Sequence, residues 1–431
     1  MSEHPSVSIV VLNWNGRKHL DDCLQSLLEL DYPSDRLQLI LCDNGSEDGS
    51  ADHVRSRFPG VDLLALDDNY GFAEGNNRAA AYATGDWIAF LNNDMHVEPG
   101  WLRQLVGPLR EQPGLACIAS RIANWNGSAV DFVGGGVNFQ GHGFQIDHGK
   151  TISQNDHPRR LLFACGGAML VRRDVFLEVG GFDPDYFAFF EDVDLGWRLN
   201  LLGHDVWYQP TATAFHRHHA TANKVAPHKL RVLYERNALF TIYKCFDDDN
   251  LAAALPAALI LLNEKALRVA RTDLSDYFLK PPPELFPDPP DTAPGPAEGV
   301  ISKIIRLTRT EGWRGMLRKA GRLAHWRFDQ VRLDVRRRSP WTRIRAGAGM
   351  EPLPRLAVSH YVAVSDFARH FESMGEKRRW LQSRRVRSDD ELLPLFHNAL
   401  DPSYSDEQYV RFNAWLSKVL GLDQRFGKGE G

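Results

Sequence analysis

The chain has 431 residues, 43% hydrophobic and 25% charged, the make-up of an ordinary soluble protein of two or three domains. Its net charge of −4 hides an asymmetry: residues 300–346 hold 14 Lys and Arg against 3 Asp and Glu, so the remainder carries −15. Five scattered cysteines, never in a Cys-x-x-Cys pair, argue against a disulfide framework or a zinc site and for a reducing, cytoplasmic setting. No basic-then-apolar leader precedes the first strand. The longest apolar run, Leu251–Leu262, is 12 residues interrupted by Pro256, short of the roughly 20 that span a bilayer. A soluble or peripheral protein is expected.

Ser6–Leu12 is a continuous apolar run, the pattern of a strand buried on both faces of a parallel sheet. After Asn13-Trp-Asn-Gly16 comes a helix with Leu20, Leu24, Leu27 and Leu28 on one face. Strand Leu37–Cys42, a helix about Ser50–Phe58, strand Val61–Leu66, a helix to about Ala83 and strand Trp87–Leu91 follow. This alternation implies right-handed crossovers and a mainly parallel sheet, whose ligands bind beyond the carboxyl ends of the strands. No Gly-x-Gly-x-x-Gly or Walker pattern follows the first strand. Residues 115–168 predict loops and short strands, and Cys165–Val171 a strand entered through two glycines. Strand Val206–Tyr208 and helices over about 228–245 and 251–280 complete the ordered part.

Three places carry chemistry. Asp43 ends a strand in a polar turn, fitting either a base or ribose contact or an Asx turn. Asn92-Asn93-Asp94 follows a strand directly and fits either a Mg²⁺ or Mn²⁺ site completed by phosphate oxygens or a polar β-turn. The acids of Asp183–Arg198 crowd the first turn of a helix expected over Asp192–Leu202, where the helix dipole stabilises negative charge. They fit either capping residues or a base made stronger by the aromatics Tyr186, Phe187, Phe189 and Phe190. His216 suits a further Mn²⁺ ligand, while His218 and His219 fit a solvated basic cluster.

The order of Asn13-Trp-Asn-Gly16, Asp43-Asn-Gly-Ser-Glu-Asp-Gly-Ser50, Asn69-Tyr-Gly-Phe-Ala-Glu-Gly-Asn-Asn77, Gly85-Asp86, Leu91-Asn-Asn-Asp94, Gly180-Gly-Phe-Asp183 and Glu191-Asp-Val-Asp194 resembles the family 2 glycosyltransferases of GT-A fold, rhamnosyltransferase-like branch, over about residues 5–220. The resemblance implies an α/β fold with a mainly parallel Rossmann-like sheet, helices on both faces and a C-terminal helical extension. It implies that Asp43, Asn13, Asn77 and Asn93 bind the nucleotide, and that Asn92, Asp94 and His216 hold a divalent Mg²⁺ or Mn²⁺. Asp192 becomes the catalytic base, with Glu191 and Asp194 supporting the acceptor side. Asn92 stands where the family's Asp-x-Asp motif has its first acid, which lowers the local charge and makes the metal more dependent on the diphosphate. One base with no second covalent carboxylate implies inversion.

The expected division is a transferase domain over 1–245, a helical extension over 246–280, a linker over 281–299 with 8 prolines, and a basic, mainly helical region over 300–431. The interleaved Arg, Lys and apolar residues of 300–346 fit an anionic membrane surface or a helical domain with a solvated basic face equally well. The expected function is transfer of a sugar, rhamnose from dTDP-rhamnose first, from a nucleotide-diphospho-sugar to a cell-surface or lipid-linked glycan. The competing expectation is a catalytically silent nucleotide-sugar or glycan-binding protein, which Asn92 keeps open. Nucleic acid is not an expected partner.

Overall fold

The computed structural model describes residues 4–112, 114–153, 156–217, 225–272 and 353–427. Strands β1 (Val7–Asn13), β2 (Leu37–Asn44), β3 (Asp62–Leu66) and β4 (Trp87–Asn92) alternate with helices α1 (Arg17–Leu28), α2 (Ser50–Arg57) and α3 (Gly71–Tyr82). The strands pair in the order β3-β2-β1-β4, all parallel. Val7, Ile9, Val10 and Val11 of β1 are buried, as an apolar strand needs when both faces of its sheet are covered. Parallel pairing brings the carboxyl ends of β1, β2 and β4 to one edge, so Asn13, Asp43 and Asn92 share a crevice by topology alone.

The chain continues through β5 (Met95–Val97), α4 (Trp101–Val106), β6 (Cys117–Asn124), β7 (Val130–Phe132), β8 (Gly135–Val137), β9 (Gly143–Gln145), β10 (Arg159–Leu161), β11 (Ala168–Arg172), α5 (Arg173–Glu178), α6 (Glu191–Leu201) and β12 (Val206–His216). The expected α/β fold with helices around a largely parallel sheet is present, with antiparallel additions beyond β4. β11 lies antiparallel between β4 and β6, so the sheet is mixed beyond β4. β11 returns through the short strands between 125 and 167 rather than through a crossover helix, and enters the sheet from the opposite side. The strand expected at Val206–Tyr208 runs on to His216 after a register shift between Gln209 and Thr213, and its end pairs with β5.

The described C-terminal part is helical: α7 (Pro227–Cys245), α8 (Asp248–Ala270), α9 (Arg355–Arg369), α10 (Phe371–Gln382), α11 (Asp389–Leu392), α12 (Glu407–Val419) and α13 (Leu422–Phe426). Among the described residues, those up to 269 and those from 358 onward form one compact unit. Residues 246–269 and 358–427 lie in the same compact unit as the sheet. The joint is apolar and hydrogen-bonded: Trp197 meets Phe246 and Phe396 edge-on, each at 4.8 Å, and Val137 N donates to Phe396 O at 2.8 Å. The apolar run 251–262 is part of the 23-residue α8, which by length and composition is sufficient to cross a membrane. Half of its apolar window is buried against the protein, as in a core helix. The expected linker 281–299, the basic segment 300–346, and His218 and His219 lie outside the described residues.

Candidate active site

Three amide and carboxylate side chains close the crevice floor. Asn13 faces Asp43 across the β1–β2 register and donates to its Oδ1 at 2.9 Å, while Asn93 donates to Asn13 Oδ1 at 2.7 Å. The other Asp43 oxygen accepts from Ser46 N at 3.2 Å, and all three side chains are buried. A buried carboxylate supplied only by neutral donors keeps its charge for a ligand's N–H or hydroxyl. Asn77 is used differently from expectation. Both ends of its amide are engaged on the Phe182 peptide, donating to O at 2.7 Å and accepting from N at 2.9 Å, so it ties α3 to the chain ahead of the acidic stretch.

Beyond β4, Asp94 is buried and its Oδ2 lies 3.4 Å from His216 Nε2. The β5–β12 pairing, which sets His216 opposite Met95, makes this meeting possible. His216 Nδ1 lies 2.6 Å from Asp131 Oδ2, an oriented carboxylate–imidazole pair that aims Nε2 at Asp94. Burial pulls the His216 ring down, but hydrogen bonds and charge from Asp131 and Asp94 outweigh it and lift its pKa to about 9. Burial likewise works to raise Asp94, and His216 overcomes it, leaving the carboxyl below its usual value. Asn92 packs its amide against Gly167, where a Cβ would come within 2.9 Å of Nδ2. Among the described residues no three His, Cys, Asp or Glu side chains form a ready metal cage. One carboxylate and one imidazole converge, and once an ion displaces the His216 proton they are a donor pair suited to a hard ion that completes its shell from phosphate oxygens.

Asp192 is partly exposed at the start of α6, and its Oδ2 accepts from Gly166 N at 3.0 Å while Oδ1 accepts from Val193 N at 2.8 Å. The next residue, Gly167, accepts from Asn92 N at 2.9 Å. Two consecutive glycines thus join the acid of α6 to the polar triplet after β4. Glu191 is buried, and its Oε2 has no hydrogen-bond partner among the described residues. Burial raises both carboxyls, and Glu191 is pushed much further because it also feels the Asp192 charge. Of the two, Glu191 is the more strongly disposed to hold a proton, while Asp192 is steadied by its backbone donors. The turn before α6 is strained: Phe187, Phe189 and Phe190 have φ of 62°, 71° and 65°, each costing about 1 kcal/mol or more for a residue with a Cβ. Phe187 O accepts from Phe72 N at 2.6 Å and Ala73 N at 3.2 Å, beside Gly71, whose φ of 79° and lack of Cβ admit that approach.

The family model for glycosyl transferase family 2 matches residues 8–180, which hold both strand-end clusters. Residues 8–180 are a family 2 glycosyltransferase domain. Over 245 residues the chain is 29% identical to the N-acetylglucosaminyl-diphospho-decaprenol L-rhamnosyltransferase of Mycobacterium tuberculosis, covering 51% of this chain and 79% of that protein. It is 30% identical over 209 residues to the O-antigen biosynthesis protein RfbC of Myxococcus xanthus, covering 46% of this chain and 16% of RfbC. These relatives are consistent with the rhamnosyltransferase-like branch. Among solved structures, GalNAc-T7 with UDP, GalNAc and Mn²⁺ aligns at 15% identity and TM-score 0.47, over 64% of this chain and 54% of that one.

The acids beside Asp192 divide by partner. Asp194, expected on the acceptor side, is wholly buried, with Lys244 Nζ 2.6 Å and Arg198 Nε 2.8 Å from its oxygens. Asp183 pairs with the same Lys244 at 2.6 Å and with Lys377 of α10. These two are internal braces out of an acceptor's reach. Tyr186, expected in the aromatic wall, is fully buried, with its hydroxyl 2.8 Å from Thr241 Oγ1. Its place is taken by Tyr234 of α7, which stacks on Phe189 at 4.5 Å and meets Phe190 edge-on at 5.6 Å. Sequence patterns missed Asp131, Lys244, Tyr234, Arg236 and Asn237. Each acts on a residue more than 40 positions away.

Proposed function

We propose that the chain is an inverting, divalent-metal-dependent glycosyltransferase that moves a sugar, rhamnose from dTDP-rhamnose first, to a hydroxyl of a lipid-linked or cell-surface glycan. The observation that carries this is the pair of adjacent glycines that hold the acid of α6 and the triplet after β4 in one crevice. Asp43, with Asn13 and Asn93, receives the nucleotide at the β1–β2 edge, and the diphosphate extends from there toward Asp94. A Mg²⁺ or Mn²⁺ ion held by Asp94 and His216 would neutralise charge gathering on the leaving diphosphate. On the other side, ionised Asp192 takes the proton of the acceptor hydroxyl as it attacks the anomeric carbon. A single carboxylate, Asp192, faces the acceptor among the described residues while Glu191 is buried behind it, which supports single displacement with inversion. Tyr234, Phe189 and Phe190 offer apolar faces to the acceptor.

The donor and acceptor choice leans on the mycobacterial relative, named for rhamnosyl transfer to N-acetylglucosaminyl-diphospho-decaprenol. A lipid-linked acceptor fits work at the cytoplasmic face of a membrane, with 300–346 at an anionic surface. Calorimetry across dTDP-, UDP- and GDP-sugars, then transfer assayed with Mn²⁺ or EDTA, tests the reading. Tight dTDP-rhamnose binding with EDTA-sensitive transfer supports it. Donor binding with no turnover under any condition would favour the silent binding protein instead. No association with anionic vesicles at low salt would remove the membrane proposal.

A further inference from the structure

The strained turn ahead of the proposed base is closed locally by Phe187 N on Pro184 O at 3.1 Å and Ala188 N on Tyr186 O at 2.7 Å, but these bonds leave the carbonyls of 185, 188 and 189 to other partners. Phe190 caps α6 in a left-handed conformation with no side-chain capping bond, and Phe187 and Phe189 also sit at positive φ. The partners of those carbonyls come from α7. Asn237, wholly buried, directs its amide at the carbonyls of Tyr186 (3.1 Å), Ala188 (2.9 Å) and Phe189 (2.7 Å). Arg236 donates to Asp185 O at 2.8 Å and Tyr186 O at 3.1 Å, and its guanidinium also fixes the Asn237 amide by donating to Oδ1 from Nε at 3.0 Å and Nη2 at 2.9 Å. Arg236 is in turn anchored to Asp366 of α9 at 2.9 Å. Every carbonyl from 185 to 189 thereby has a partner, Phe187 O through α3.

We infer that Arg236 and Asn237 are positioning residues of the transferase, holding the 185–190 turn so that Asp192 and the Phe189–Phe190 wall meet the acceptor, and that Asp366 makes the C-terminal helices part of this machinery. The inference rests on Asp192 being the base. Neither residue touches donor, acceptor or metal in the proposed arrangement. They act through carbonyls three to seven residues ahead of Asp192. A small relaxation of the turn moves a base out of in-line reach while leaving the nucleotide edge at Asp43 untouched, and misplacement of that kind costs on the order of 100-fold in rate.

The test uses the full chain with Asn237→Asp, Asp366→Asn and Asp192→Asn, measuring transfer kinetics against pH, donor affinity by calorimetry, and amide exchange. Asn237→Asp keeps the acceptor for Arg236 but turns an oxygen on three carbonyls. The expected result is a fall in kcat of about tenfold or more at unchanged donor KM, a displaced acid limb of the kcat profile, and faster exchange over 186–191 with β1–β4 unchanged. Asp366→Asn, which breaks no backbone contact, gives the same pattern at about threefold, within the range of one weakened charged hydrogen bond. Wild-type kcat and pH limb in a folded Asn237→Asp protein would overturn the inference. So would a loss of activity that only tracks the loss of folded protein. If Asp192→Asn retains transfer, the base assignment itself fails, an outcome separate from either.

Discussion

Two pairs of carboxylates lie within twelve residues of one another and have opposite environments. Asp183 and Asp194 are enclosed with Lys244, Arg198 and Lys377, and every oxygen faces a cation or a hydrogen-bond donor. Glu191 and Asp192 are also drawn into the protein, but among the described residues no cation pairs with either. The first pair has its charge cancelled and serves as a brace between the acidic stretch, α7 and α10. The second keeps an unpaired negative charge at the mouth of a crevice, the state a general base requires. Proximity in sequence therefore says little about role; what decides it is the side chain arriving from another helix.

The largest expected effect tests the poised pair. Asp192→Asn should lower transfer by about 10²–10⁴-fold while donor affinity measured by calorimetry is unchanged. Asp194→Asn should instead act on the fold, since it leaves buried Lys244 and Arg198 short of a counter-charge, at a cost of about 3–5 kcal/mol read from denaturant midpoints. If Asp194→Asn retained full stability and lost only turnover, the division into brace and base would collapse.

This division shows where the sequence was legible. The strand-end clusters could be placed from local patterns, because the apolar runs of β1, β2 and β4 fix both pairing and edge, and Asn13, Asp43 and Asn92 follow them by one or two positions at most. The first turn of α6 was equally local. Asp131 could not be found this way: it stands 85 residues from His216 in the short strand β7, whose pairing with β6 shifts register between Ile122 and Ala123. Lys244 and Asn237 lie in a helix that looks amphipathic by pattern, yet their polar groups point inward at carboxylates and carbonyls of another segment. Buried polar partners of this kind carry no periodic signal. The antiparallel entry of β11 was missed for a related reason, since glycine-rich loops do not announce direction.

Asp131 supplies the next test. It touches His216 on the side away from Asp94, so Asp131→Asn should weaken the orientation of Nε2 and raise the Mn²⁺ concentration needed for half-maximal transfer by about 10–100-fold. An unchanged metal requirement would show that His216 is not a ligand or needs no orienting partner.

The smallest effect concerns protons. Asp183 is lowered because Lys244 and Lys377 outweigh its burial, so its contribution to stability is present above the unfolded carboxyl value and is lost only as pH falls toward the folded one. Glu191 has the opposite sign. Its folded pKa is raised by burial and by Asp192, so its contribution is full below the unfolded value, about 4.3, and is lost as pH rises through the folded one. Glu191→Gln cannot ionise and escapes that loss. Its melting temperature should therefore exceed that of the unmodified protein by more at pH 8 than at pH 5, in scans run at matched ionic strength. An equal difference at both pH values would mean that Glu191 ionises as freely in the fold as outside it. Asp192 would then share its site with a second charged carboxylate, and the contrast between a braced pair and a poised pair would lose its electrostatic basis.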